Sequence, residues 1–214
     1  LLTGILPFQW TAHVMNDSGR LLGNDAKLVI ASSLPREIWV LRSVTSRGLE
    51  FLFSLPITVV AAVLFAIFWS HPDTGESLSI GWIWLLAVPV ALLVQFVFNI
   101  GLSLTLAPMC MLYPDVQRVV RVFTTLYRYL SPVIYGLVTL EVALEGAGWP
   151  LWLIDVYELN PLVGILNAYH AVFFPGTVDN VIPLLAIAAG LSVALVVVGW
   201  RVFRRLEPRV LKEL

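Results

Sequence analysis

Long apolar runs alternate with short polar ones along this chain. Residues 49–69 carry one charge, Glu50, at their edge. No charged residue stands between Glu76 and Asp115, and 82–107 is the natural span inside that run. Residues 122–140 form a third run, which contains Arg128, and 180–200 form a fourth with no charge. Residues 1–15 read as the later part of a fifth, cut off at its start. A helix needs about 20 apolar residues to cross the hydrocarbon core. Helices are expected because a helix satisfies its own backbone groups in lipid. The predicted fold class is therefore an all-α integral membrane protein with five spans visible, the first incomplete. The chain opens on Leu inside an apolar stretch, and no basic n-region or cleavage site precedes it. A signal peptide is not expected, and the natural N-terminus is expected to lie further upstream.

Composition agrees. Hydrophobic residues make up 59% and charged residues 13%, with a mean hydropathy of +0.88. Soluble domains are roughly 45–50% apolar and about 25% charged. This excludes a disordered chain, a nucleic-acid binder with a basic surface and almost any soluble enzyme. The net charge of −1 offers no excess for a polyanion. Cys110 is the single cysteine, so no intrachain disulfide or cysteine metal framework can form. No G-x-x-x-x-G-K-[ST] phosphate loop occurs. If ATP drives this protein, another chain binds it, and this chain purified alone should hydrolyse no nucleotide.

Where the charges sit matters more than their sum. Segment 16–48 holds Arg20, Lys27, Arg36, Arg42 and Arg47. The turn after 82–107 and the next helix hold Arg118, Arg121 and Arg128; the tail holds Arg201, Arg204, Arg205, Arg209 and Lys212. These are all 13 basic residues. Connections 70–81 and 141–179 contain none and carry acids instead. The positive-inside rule then puts 16–48, 108–121 and 201–214 in the cytoplasm, and 70–81 and 141–179 outside. Residues 159–178 are also uncharged, but Asn160, Pro161, Asn167, His170 and Pro175 suit hydrocarbon poorly. A crossing there would send the arginine-rich tail outward. Segment 146–175 is therefore read as one or two short, half-buried helices dipping into the outer surface, with Trp149 and Trp152 at the interface. The chain 1–214 is read as one transmembrane domain.

Several constellations could carry function. Segment 27–48 should form a short amphipathic cytoplasmic helix, with Ser33 as N-cap, Pro35 near its first position and Glu37 in its first turn. Gly48 would end or bend it. Its Arg36, Glu37, Trp39 and Arg42 suit either a connector on anionic lipid or a docking element for a cytoplasmic partner. In segment 113–136, Pro114-Asp115 starts a helix on which Arg118, Arg121 and Arg128 share one face. Arg118 and Arg121 are read as snorkelling to the cytoplasmic interface. Arg128 lies deeper, where it either lines a hydrated path for an anionic substrate or also snorkels. Ser131-Pro132 implies a kink. Tyr127, Tyr129 and Tyr135 lie near Arg128, and aromatic faces beside hydroxyls suit sugar rings. Asn99, Gly101, Ser103, Thr105 and Pro108 make a helix-packing face and a candidate protomer interface. His13, His71 and His170 show no ligand spacing, so no metal is assigned. Asn16-Asp17-Ser18 is a glycosylation sequon on the predicted cytoplasmic side, where it should be silent. Glu141 and Glu145 are four apart, a weak catalytic signal in a wet loop.

The order of these segments resembles a known family. An apolar opening GILPFQW is followed by LVIASSLPREIWVLRSV, then YPDVQRVVRVFTTLYRYLSPVIYG, then ELNPLVGILNAYHAVFF, a last span and a basic tail. This is similar to the membrane subunit of ABC-2 type exporters, in the branch that exports lipid-linked polysaccharides: O-antigen, teichoic acid and galactan permeases. The resemblance covers nearly the whole chain. It implies six spans per protomer, a homodimer, and two cytoplasmic ATPase subunits that bind ATP and Mg. It implies that Pro35, Arg36, Glu37, Trp39 and Arg42 belong to a coupling helix seated on the ATPase. Phe8, Trp10, Tyr127, Arg128, Tyr129 and Tyr135 would line the substrate conduit. Trp149, Trp152, Asn160, Tyr169 and His170 would belong to outward-facing gate helices. The family commonly has Phe-Pro-Arg where this chain has Leu34-Pro35-Arg36, and Arg near the position of His170. ATP-driven closure of the partner would push on 35–47 and open a path between protomers in the bacterial cytoplasmic membrane. A close rival is an ABC-2 exporter of drugs or small lipids; more distant are a membrane-embedded glycan transferase and a secondary transporter. The last two would need converging acids or internal inverted repeats, which the spans lack.

Overall fold

The computed structural model of the chain describes residues 2–24, 35–69, 87–133, 140, 144–146, 148, 150, 152–173 and 180–213. No strand occurs among them. In chain order the helices are α1 (Leu2–Asn24), α2 (Glu37–Trp69), α3 (Ala87–Leu112), α4 (Pro114–Leu130), α5 (Trp152–Glu158), α6 (Pro161–Phe173) and α7 (Val181–Glu213).

Helix α3 is the axis of the bundle. α7 and α1 pack along it most extensively, and α2, α4 and α6 also touch it. Its inward residues are small or uncharged: Ala91, Gln95, Asn99, Gly101, Ser103 and Ala107 are all buried. Where α3 crosses α7, a Cβ on Gly199 would lie 2.6 Å from the Gly101 carbonyl oxygen. Small residues permit such approach, and in lipid it is close packing that drives helix association. The stripe read as a packing face or a protomer interface thus joins α3 to α7 within one protomer.

Among the described residues, three helices are long and apolar enough to cross a membrane: Glu37–Ala61 within α2, α3, and α7. Five had been expected. α1 is long enough, but Asn16, Asp17 and Arg20 dilute its apolar character. The run 122–140 is corrected more sharply. Instead of one kinked span, α4 stops at Leu130, and Ser131 is extended with φ −107° and ψ 151°. The ring of Pro132 clashes with a helical residue before it, which forces Ser131 into that region. With 17 residues, α4 reaches about 25 Å. Its start is as expected, with Pro114 in the first turn and Asp115 beside it at the positive end of the dipole.

The amphipathic stretch 27–48 is corrected too. Ser33 and the rest of 27–34 lie outside the described residues. From Glu37 the helix runs unbroken to Trp69, so the basic amphipathic stretch and the span 49–69 are one rod. Gly48 does not end it. A Cβ there would lie 2.9 Å from the Trp10 ring, so this glycine lets α1 pack close against α2. The tail is likewise helical, because α7 continues to Glu213. Its 33 residues extend about 50 Å against a hydrocarbon core of about 30 Å, so one end projects into water.

Two short helices, α5 and α6, occupy the segment after α4. Residues 162–169 are buried throughout. The 13 residues of α6 extend about 20 Å, too short to cross.

Candidate functional site

The head of α2 is built by its first turn. The carbonyls of Pro35 and Arg36 accept the amides of Ile38 and Trp39 at 3.1 and 3.2 Å. Arg36 then pairs with Glu207 of α7 at 2.7 Å, and Glu37 pairs with Arg204 of α7 at 3.0 Å. The Arg42 guanidinium lies 5.5 Å from the centre of the Trp39 ring. Beside these residues a groove of about 390 Å³ opens between α1 and α2, lined by Asp17, Arg20, Trp39, Arg42, Arg47 and Glu50. Arg47 bridges Asp17 at 2.6 Å and Glu50 at 2.8 Å, which ties the two helices together. Sequence reading singled out the α2 residues but missed Arg204 and Glu207. Their charges mirror those of Arg36-Glu37, yet no sequence pattern says that the two helix ends meet.

The residues read as conduit-lining divide into two groups. Phe8 and Trp10 are buried in the core, at 1% and 4% exposure. Trp10 donates its indole N–H to the Val44 carbonyl at 3.3 Å and stacks on Phe51. Tyr127 also turns inward, near Phe8 and Phe123, and donates its hydroxyl proton to Asn160 Oδ1 at 2.6 Å. By contrast Arg128 and Tyr129 are exposed. The Arg128 guanidinium sits 5.6 Å from the Phe8 ring centre, so the buried ring supports the exposed charge from behind. Arg118, Arg121 and Thr125 share this exposure. A path lined by Phe8 and Trp10 would have to part the packing of α1 on α4 and α2; Arg128 and Tyr129 can face one as they stand. Tyr135 lies outside the described residues.

Asn160 works as the N-cap of α6. Its Oδ1 accepts the Leu162 amide at 3.1 Å, and Pro161 follows at the first helical position. Its Nδ2 reaches Ser131 Oγ at 3.4 Å. The loop entering α6 is thus fastened to the end of α4. Further along α6, the Tyr169 hydroxyl donates to Gln95 Oε1 at 3.0 Å. Gln95 Nε2 donates onward to the Pro7 carbonyl at 2.7 Å and to Thr11 Oγ1 at 3.2 Å. One amide thereby joins α1, α3 and α6. Gln95 was missed, although an amide within an uncharged span was a signal in plain view. His170 is half-buried, and a Cβ on Gly4 of α1 would lie 3.0 Å from its Nε2. Trp152 is exposed at 59%. Trp149 lies outside the described residues. Ser18 of the sequon is buried inside α1 and hydrogen-bonded to Ser103, which makes that sequence a packing element. Among the described residues no three potential metal ligands gather.

No family model matches the chain. Individual proteins do. The chain is 25% identical over 209 residues to the O-antigen export system permease protein RfbA of Klebsiella pneumoniae, an alignment covering 98% of this chain and 72% of that one. It is similar to O-antigen export permeases. A second Klebsiella pneumoniae permease of the same name is 26% identical over 210 residues, with the same coverage. The Myxococcus xanthus O-antigen permease RfbA is 25% identical over 189 residues, covering 88% of this chain and 65% of that protein. With three described helices long and apolar enough to cross a membrane, the chain is a multi-pass membrane protein. Its buried polar links hold helices together. The arginines of α4 are exposed, and the groove at the head of α2 is open.

Proposed function

We propose that this chain is the membrane permease subunit of an ATP-driven exporter that moves lipid-linked polysaccharide across a bacterial cytoplasmic membrane. The single observation that carries this reading is the exposed face of α4. Arg121, Arg128 and Tyr129 stand there beside exposed Val122 and Leu126. A charged face is costly in hydrocarbon, so such a helix belongs against a hydrated path or a second copy of the chain. A homodimer with α4 at the seam supplies both. Tyrosine rings suit the C–H faces of sugars, and arginine donors suit hydroxyl edges and anionic groups. The lipid anchor stays beside the bilayer while its glycan passes. An O-antigen-type polymer is favoured over teichoic acid or galactan by the names of the relatives.

In this reading ATP and Mg are held by two partner ATPase subunits. The head of α2, with Pro35, Arg36, Glu37, Trp39 and Arg42, docks on them. Helices α5 and α6, with Trp152, Asn160, Tyr169 and His170, form the outward gate. The basic end of α7 keeps the C-terminus in the cytoplasm. Deleting the gene should abolish surface polymer and leave completed polymer inside the cell, and a plasmid copy should restore it. Normal surface polymer in the deletion strain contradicts the reading.

A further inference from the structure

Helices α2 and α7 each pack on α3, but they do not pack along one another. At their cytoplasmic ends they are nonetheless joined by two crossed ion pairs, Arg36–Glu207 at 2.7 Å and Glu37–Arg204 at 3.0 Å. Arg36 and Glu207 keep only 28% and 18% side-chain exposure, so that pair is screened less than a surface pair, whereas in the second pair Glu37 keeps 22% and Arg204 57%. A groove of about 350 Å³ lies beside them, lined by Pro35, Ile38, Leu41, Leu104, Trp200 and Arg204. The head of α2 therefore meets α7 through these two pairs and through an apolar cluster in which Val40 is buried with Leu104, Phe203 and Val210, with open space next to the attachment. The other half of α7 carries α6. A Cβ on Gly164 of α6 would collide with the Leu184 carbonyl of α7, so the two backbones are in direct contact there. From Arg204 back to Leu184 the helix covers about 30 Å.

We propose that Arg204 and Glu207 are positioning residues for transport: they grip the head of α2 and make α7 the rod that carries its displacement to α6. This rests on the reading of the α2 head as the docking element for the motor. A push on Arg36 and Glu37 is delivered to α7 through two pairs rather than one, which resists rotation as well as sliding. Because α7 is a single helix, displacement at its basic end reaches Leu184 without a hinge. Gly164 then hands it to α6, whose Asn160 cap and Tyr169 hydroxyl hold the outward segment to α4 and α3.

The test uses the complete transporter with its ATPase subunits, and follows export, ATP hydrolysis and thermal stability together. Glu207→Arg and Arg36→Glu alone should each lower polymer export about tenfold, with ATP hydrolysis and the amount of folded complex retained. The combined reversal should bring export back to within about twofold. Glu37→Arg with Arg204→Glu forms an independent second pair, and Glu207→Gln replaces Glu207→Arg should the latter fail to fold. Normal export per folded complex in the single variants overturns the proposal. So does a folded double reversal that stays as low as its parents. Arg42→Cys, cross-linked to the ATPase, tests the docking reading separately. Rescue without that cross-link refutes docking at this place and leaves the α2–α7 grip standing.

Discussion

Tyr127 of α4 donates its hydroxyl proton to the same Asn160 oxygen that caps α6, at 2.6 Å. One side chain therefore caps α6 and fastens its start to α4. Asn160→Ala removes the cap and the Tyr127 partner together. It should cost about 1–2 kcal/mol of stability, whereas Tyr127→Phe should cost about 1 kcal/mol, because the cap survives. Thermal unfolding of the purified protein in detergent measures both. Equal costs would separate the cap from the link.

Gln95 is the most connected polar group in the core. Gln95→Leu would leave the Pro7 carbonyl, Thr11 and the Tyr169 hydroxyl without the partners they have now. A loss of about 1–3 kcal/mol is expected, with Tyr169→Phe losing less. A neutral Gln95→Leu in the same unfolding assay contradicts this role.

Glycines in these helices are not equivalent. Gly101 and Gly199 meet backbone across the α3–α7 contact, while at Gly190 an added Cβ meets nothing within 4 Å. Gly199→Val should destabilise by about 1–3 kcal/mol. Gly190→Ala should stabilise by roughly 0.5–1 kcal/mol through helix propensity alone. The two variants should thus move the melting temperature in opposite directions.

Arg128 and Tyr129 are exposed, so removing them should leave the fold in place. Arg128→Ala with Tyr129→Ala should shift stability by no more than about 1 kcal/mol and lower polymer export several-fold. Export at the normal rate would move the path to another face of the protein.

Much of the fold was legible because lipid makes strong demands. Apolar runs gave α2, α3 and α7. The proline rule gave a disturbance at Ser131-Pro132, but not its size: a kink was expected and the helix ended. Segment 27–48 reads as a short helix of its own, with Gly48 ending or bending the chain. Its real constraint is the Trp10 ring of another helix, and no local pattern reveals that. The same holds for Phe8 and Trp10. An aromatic residue in an apolar helix reads alike whether it faces a path or the core, and packing decided for the core. The two pairs joining Arg36 and Glu37 to Glu207 and Arg204 are the furthest from legibility, since they link residues at opposite ends of the chain.

The most direct test uses inverted membrane vesicles holding this chain and its ATPase partner, supplied with lipid-linked polymer on the outer, formerly cytoplasmic, face. Addition of ATP should carry the polymer into the vesicle lumen, where an added glycosidase cannot digest it. Polymer that stays fully digestible with ATP present, or that becomes protected equally without it, would contradict the account.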